Sequence, residues 1–371
     1  MFHLARLSRF YPALACVLAF AGCSSDPGQG EGSVVQDQQF NWKLVSAWPP
    51  NLPVIDGAVK DFAREVGIMS RGQLTVQVYA GGELIPPFEV FNAVSSGKTV
   101  QMGHSAAYYW AGKVPAAQYM SAVPFGLGAR GMVAWLHGGD GLKLWRELYA
   151  PFDLVPIPMG NTGTQMGGWF NKRVDSAEDL EGLKMRIPGL GGKALAKAGG
   201  NPVLMSGGDV YTALERGTID AAEWVGPLHD VRLGFDRAAK YYYYPGWQEP
   251  SAQLELIVNK TAWETLPEHL QRIIYNAAIA TGVDLYSRME VGNAKAYAEL
   301  LESGQVETIE FPQDVLAALH QSANAALAEE ASKNEKFREV SENYESFRKL
   351  FDAWDAITEN AYRQYFNRAA N

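Results

Sequence analysis

Apolar and polar residues alternate in Gln73-Leu-Thr-Val-Gln-Val-Tyr79, the period of two that a strand requires. Before it, residues 42–47 read as a strand and 55–66 as an amphipathic helix. After it, 87–95 read as a helix and 99–103 as a strand. This β-α-β-α-β rhythm predicts an α/β lobe with a largely parallel sheet. A second set starts near Val155: a strand over 164–171, a helix over 193–199 and a strand over 219–224. Ser176-Ala-Glu-Asp179 and Thr261-Ala-Trp-Glu264 have capping-box spacing.

From 267 to 301 the pattern is helical almost without interruption. Pro267 suits a first turn. At 1.5 Å per residue such a helix is roughly 50 Å long, enough to cross two lobes. Gly282 and Gly292 are its weak points. Two further helices are predicted over 313–332 and 337–368. The last carries Phe347, Leu350, Phe351, Trp354, Ile357, Tyr362 and Tyr365 in one stripe. That stripe either packs on its own core or docks on a second copy of the chain.

The N-terminal region reads as an address. Arg6 and Arg9 precede the apolar residues 13–21, a stretch too short to span a bilayer permanently. Phe20-Ala21-Gly22-Cys23 reads as a lipoprotein cleavage box, with Cys23 as the acylated residue. Cys16 would leave with residues 1–22, so the mature chain would have no disulfide. Residues 24–38, rich in Gly, Ser, Gln and Asp, predict a flexible tether reaching about 20 Å. The expected location is periplasmic, lipid-anchored to a membrane through Cys23.

The net charge is −9, and loss of Arg6 and Arg9 takes it to −11. An acidic chain without a basic run is not built for nucleic acid. An anionic ligand would need local positive charge. Gly182-Leu-Lys-Met-Arg-Ile-Pro-Gly189 supplies it. Leu183, Met185 and Ile187 alternate with Lys184 and Arg186 in a short strand that stops at Pro188-Gly189. A guanidinium at the mouth of a strand suits a carboxylate.

Enzyme motifs fare worse. Gly103-His-Ser-Ala-Ala107 resembles a nucleophile elbow around Ser105, but its final glycine is Ala107. The oxyanion-like His137-Gly138-Gly139 follows the serine instead of preceding it. Gly189-Leu-Gly191-Gly192-Lys193 is no P-loop: Ile187 stands where its first glycine is needed, and Ala194 follows the lysine. The six histidines lack zinc-ligand spacing.

Three places join Arg186. Gln165 lies in Asn161-Thr-Gly-Thr-Gln-Met-Gly167, Glu223-Trp224 ends a predicted strand, and Trp247-Gln-Glu-Pro250 follows Tyr241 to Tyr244. Singly, each has a structural reading as a backbone partner, a rim charge or core. Together they put an amide and two carboxylates beside tryptophans at strand ends, as a small polar site requires.

The phrases Asp179-Leu-Glu-Gly-Leu-Lys-Met-Arg-Ile-Pro-Gly189, Gly217-Thr-Ile-Asp-Ala-Ala-Glu-Trp224 and Tyr241-Tyr-Tyr-Tyr-Pro-Gly-Trp-Gln-Glu-Pro250 resemble the solute receptors of tripartite ATP-independent periplasmic (TRAP) transporters. They are most similar to the branch that binds 2-oxo and 2-hydroxy acids with a metal ion. The resemblance runs from about Phe40 to the end. It implies an α/β, two-lobed periplasmic binding protein of type II-like fold, bridged by strands and a long helix, with a helical C-terminus. Lobe I would take 40–160 completed by parts of 250–371, and lobe II 161–249. The bridging helix would be 267–303 and the C-terminal helices 313–371.

The resemblance also implies roles. Arg186 would hold the ligand carboxylate, with Gln165, Trp224 and Tyr108 or Tyr109 as further contacts. Glu223, the Trp224 carbonyl, Glu249 and Gln165 would hold the metal, with Gln248 a fallback for Glu249. Two carboxylates and a ligand carboxylate carry −3 against +1 from Arg186, a conflict that a hard cation, Na⁺ or Ca²⁺, removes. Partners would be a small carboxylate, TRAP membrane subunits and, through the C-terminal helix, a second copy. The alternatives are a metal-independent receptor for a dicarboxylate or sugar acid, a serine esterase using Ser105, and a lipid-anchored sensor without a transporter.

Overall fold

The computed structural model describes residues 38–369. The leader, Cys23 and the tether up to residue 37 lie outside the described residues. In chain order the elements open with β1 (Phe40–Ser46), α1 (Ile55–Met69), β2 (Leu74–Tyr79), α2 (Val90–Ser96) and β3 (Met102–Ala106). There follow α3 (Ala129–Gly138), α4 (Gly141–Tyr149), β4 (Leu154–Asn161), β5 (Gly168–Phe170), β6 (Lys184–Arg186), α5 (Gly189–Lys197), β7 (Asn201–Val203), α6 (Gly207–Glu215) and β8 (Ala221–Ala222). Then come α7 (Pro227–Arg232), α8 (Phe235–Ala238), β9 (Tyr241–Tyr244), β10 (Gln253–Asn259), α9 (Lys260–Thr265), α10 (Glu268–Ser303), β11 (Glu307–Glu310), α11 (Gln313–Lys333), α12 (Glu335–Ile357) and α13 (Glu359–Ala369).

Two sheets define the two lobes. The first runs β2-β1-β3-β10-β4, the second β11-β9-β5-β8-β6-β7. In the first, β1 is parallel to β2 and β3, but β10 is antiparallel to both β3 and β4. The largely parallel expectation therefore fails at β10, which enters from the other lobe. All residues of β3 and β10 are buried, as strands covered on both faces must be.

The chain crosses between lobes after β4 and returns before β10. These two connectors bond to each other: Thr162 N–H donates to the Ala252 carbonyl (3.0 Å) and Gln165 N–H to the Glu249 carbonyl (3.2 Å). A third crossing follows α10. Its 36 residues span about 54 Å and pack on α1 and β4 in one lobe and α7 in the other. Gly282 and Gly292, weak points by propensity, are sites of close approach. A Cβ there would meet Gly160 N at 2.8 Å and the Leu228 side chain at 2.6 Å.

Several boundaries differ from the periodicity. The strand expected over 99–103 lies at β3, three residues on, because His104 and Ser105 are polar yet buried. The element near Val155 is β4, which joins the first sheet. The strand over 164–171 shrinks to β5, leaving Gln165 in a connector turned by Gly163 (φ +73°). The strand over 219–224 shrinks to β8. Pro267 caps α10 from outside its first turn. The Ser176–Asp179 box is present on a single 3₁₀ turn, whereas α9 is capped by Asn259 in place of Thr261.

The second lobe also draws on chain beyond 161–249. β11 pairs with β9, and α11 packs on α5. The single helix expected over 337–368 is two, broken at Thr358 (φ −115°, ψ −103°). Phe347 and Phe351 pack against the first lobe's core. Leu350, Trp354, Ile357, Tyr362 and Tyr365 are exposed, from 58% to 75%.

Candidate functional site

β6 and β8 lie side by side in parallel, with Arg186 opposite Ala222. That register puts the Arg186 side chain beside Glu223, the first residue after β8. Nη1 donates to the Glu223 carbonyl (2.8 Å) and to the Glu223 carboxylate Oε1. Nε donates to the Met205 carbonyl at 3.4 Å. The guanidinium lies over the Trp224 ring, 4.6 Å from its centroid. Arg186 and Glu223 are 1% and 0% exposed.

The hinge connectors bring the amide and the second carboxylate. Gln165 Nε2 donates to Glu249 Oε2 (2.7 Å) and to Thr162 Oγ1 (3.2 Å). Gln248 Nε2 donates to the Met166 carbonyl at 2.8 Å. Gln165, Gln248 and Glu249 are all buried. From the first lobe comes the 3₁₀ turn Ala107–Trp110. It carries both Tyr108 and Tyr109, whose hydroxyls feel Arg186, Glu223 and Glu249. Their rings meet edge to face at 4.8 Å.

Electrostatics set this cluster apart. Burial pushes the Glu223 carboxyl up to about 7, against the pull of Arg186 and helped by Asp230. Burial, then the charge of Glu223, pushes Glu249 well above the carboxylate range. Burial alone would lower Arg186, but Glu223 and the neighbouring tyrosines and Glu249 raise it overall. Burial pushes Tyr109 up to about 12, with Arg186 pulling the other way. One cation thus faces two acids that cannot both ionise comfortably without further positive charge.

Unpaired oxygens mark where such charge fits. Glu223 Oε2, Gln165 Oε1 and Gln248 Oε1 are buried without any hydrogen-bond partner. Three orphaned acceptors in one buried cluster are a donor set for a hard cation. Among the described residues no three His, Cys, Asp or Glu side chains gather in metal-binding geometry. A cation here would therefore rest on two carboxylates, amide and carbonyl oxygens and the ligand itself. That chemistry suits Na⁺ or Ca²⁺ better than zinc.

The structure thus brings together Arg186, Gln165, Glu223, Trp224, Glu249, Tyr108 and Tyr109, with Gln248 beside them. It also adds residues that the motifs missed. Trp48, just beyond β1, meets Trp224 edge to face at 6.4 Å and Tyr109 at 5.9 Å, closing the wall between lobes. Its place at a strand end was the available signal. Thr162 orients Gln165, but nothing in its sequence context marked it.

Ser105 stands apart from this cluster. It is fully buried and donates to Glu255 Oε1 at 2.7 Å. Its neighbour His104 is engaged by Trp48 and the Met159 carbonyl. Burial leaves the Ser105 hydroxyl no access to a substrate. A cavity of about 1090 Å³ between α3, α10 and the α12–α13 pair touches none of the cluster. The aromatic rings leave the cluster shut.

A family model described as bacterial extracellular solute-binding protein, family 7, matches residues 44–334. A monocarboxylate 2-oxoacid-binding periplasmic protein of Nostoc sp. is 40% identical over 324 residues, 87% of this chain and 88% of that one. A TRAP transporter solute binding protein from Bordetella bronchiseptica is 36% identical. It superposes with a TM-score of 0.87 over 90% of this chain and 98% of that one. That structure is a mixed occupancy dimer with copurified calcium and picolinate in one active site. A TRAP periplasmic solute binding protein from Pseudoalteromonas atlantica, with bound sodium and pyruvate, is 40% identical. Its TM-score is 0.85, over 88% of this chain and 99% of that one.

Proposed function

Because this chain belongs to the bacterial extracellular solute-binding protein family 7, we propose that it is the receptor of a TRAP transporter for a small 2-oxo or 2-hydroxy monocarboxylate. It is a solute receptor and not an enzyme. It takes its ligand with Na⁺ or Ca²⁺ and hands it to membrane subunits for uptake. The observation that carries the reading is the buried cluster of one arginine, two acids and three unpartnered oxygens. The relatives bound to pyruvate with sodium and to picolinate with calcium support it.

Each residue has a task in this reading. Arg186 meets the ligand carboxylate while Nη1 stays on Glu223. Tyr108 and Tyr109 cover the ligand from the first lobe, and Trp224 and Trp48 exclude water. Glu223, Glu249, Gln165 and the Trp224 carbonyl hold the cation, with Gln248 in reserve. When bound, that ion neutralises the excess negative charge and offers a chelation point for the carboxylate and its 2-oxygen. Gln165 donates to Glu249 between the two hinge connectors, so residues that hold the cation also tie those connectors together.

Calorimetry tests the reading. Pyruvate or lactate is titrated into protein stripped by a chelator, then into protein resupplied with Na⁺ or Ca²⁺. Binding restored by either ion supports it. Equal affinity with and without ions after exhaustive stripping overturns the cation's part.

The family is extracytoplasmic. Two finer features are proposed with it. Cys23 is the acylated N-terminus, tested by the mass of the mature protein's first peptide. The exposed stripe on α12 and α13 docks a second copy, tested by the solution mass of wild-type protein against Trp354→Glu.

A further inference from the structure

Glu255 is a buried acid that the site does not use. It lies in β10 with no exposure to solvent. Its Oε1 accepts from Ser105 Oγ (2.7 Å) and from Trp110 Nε1 (2.6 Å). Its Oε2 accepts from Tyr149 OH (2.8 Å). All three donors are neutral, and among the described residues no salt bridge involves Glu255. Removing a carboxylate from water with no counter-ion is costly, so its hydrogen bonds must have good geometry. Such a group is a fixed point to which its donors are held.

The donors bracket one short segment. Ser105 is opposite Glu255 in the β3–β10 ladder, and Trp110 closes the 3₁₀ turn Ala107–Trp110. Tyr108 and Tyr109 lie between these two anchors. β10 is also the strand that continues from Gln248 and Glu249. Its pairing with β4 shifts register between Gln253 and Glu255, an irregularity of the kind that re-aims side chains beside a site. One carboxylate therefore ties the tyrosine turn to the strand that follows the hinge acid.

On the receptor reading above, we infer that Glu255 is a positioning residue for ligand binding: it fixes the Tyr108–Tyr109 turn against the Gln248–Glu249 segment without touching ligand. It gives Ser105 a role other than nucleophile. It also explains why the turn carries a tryptophan at its end: the indole N–H reaches back to the anchor.

A double-mutant cycle tests this by calorimetry with pyruvate and the restoring cation. In the wild-type background Tyr109→Phe is expected to weaken binding by about fivefold, the worth of one hydrogen bond. In Glu255→Leu the turn is unanchored, and Tyr109→Phe changes affinity by less than about twofold. Glu255→Gln, which keeps an acceptor for Ser105 and Trp110, restores most of the Tyr109 effect. If Glu255→Leu does not fold, Ser105→Ala with Trp110→Phe removes the two donors to Oε1 and replaces it in the cycle. Equal Tyr109→Phe costs in both backgrounds overturn the inference alone. A wild-type protein that binds no 2-oxo or 2-hydroxy acid overturns the receptor reading and the inference with it.

Discussion

Trp48 Nε1 donates to His104 Nδ1 at 2.8 Å, which fixes the histidine as the tautomer carrying its proton on Nε2. That proton goes to the Met159 carbonyl at 3.0 Å. A second proton on Nδ1 would face the indole N–H. Burial agrees, pulling His104 down to about 4 from its ordinary 6.5.

The consequence is a pH window. The unfolded chain takes up this proton near 6.5, the folded chain only near 4. The stabilisation is complete above 6.5 and is lost as pH falls toward 4, by up to about 3 kcal/mol. His229, also held near 4, shares the window, so a difference measurement is needed. Denaturant melts of wild type and His104→Gln at pH 7.5 and 5.0 are expected to converge at the lower pH. A constant gap between them would show that His104 does not titrate in this way.

Glu249→Gln is expected to move stability and affinity in opposite directions. In the ligand-free protein burial and Glu223 already push the Glu249 carboxyl toward its neutral form, so an amide costs little. Gln165 keeps an acceptor there. With ligand and cation present, the lost negative charge weakens the grip on the ion. The melting temperature without ligand should hold or rise, while cation-dependent affinity falls at least about tenfold. A variant that loses both together would assign Glu249 to the fold alone.

How far the sequence reached follows from what each signal measures. Arg186 was legible because a strand of period two ended in Pro188-Gly189, and β6 ends at Arg186. Glu223 and Glu249 were legible through the phrases around them. β3 was misplaced because periodicity treats His104 and Ser105 as outward-facing, whereas both are buried and bonded. β11 and α11 could not be assigned to the second lobe, because that pairing joins Glu307 to Tyr241 across a 36-residue helix. Long-range pairing leaves no local trace. Trp48 shows in the sequence only as a tryptophan at a strand end, because its partners Trp224 and Tyr109 come from distant segments.

Arg186→Ala is expected to lower affinity for the acid at least about tenfold, since a hydrogen bond to a charged group contributes about 1.5–3 kcal/mol. The reason is more than a lost ligand contact. Glu223 would stay buried without its counter-charge and take up a proton more readily. Arg186→Lys should recover little, because both Glu223 bonds use Nη1 alone, and a single ammonium spent on them has no second nitrogen left for the Met205 carbonyl and the ligand carboxylate. Full affinity in either variant by calorimetry would remove Arg186 from the ligand.

Gly207→Ala probes the Trp224 wall without touching a charged group. Gly207 opens α6, and a Cβ there would lie 2.5 Å from the Trp224 ring. Its backbone is not left-handed, so the added methyl acts through space alone. The indole must swing away, off the guanidinium it faces at 4.6 Å. Overpacking of this kind costs about 1–3 kcal/mol. The cost should appear as a several-fold loss of affinity, and Trp224→Phe in the same chain should recover part of it by shortening the ring. If Gly207→Ala binds as wild type, α6 yields instead of Trp224, and the tryptophan is not held in place by that helix.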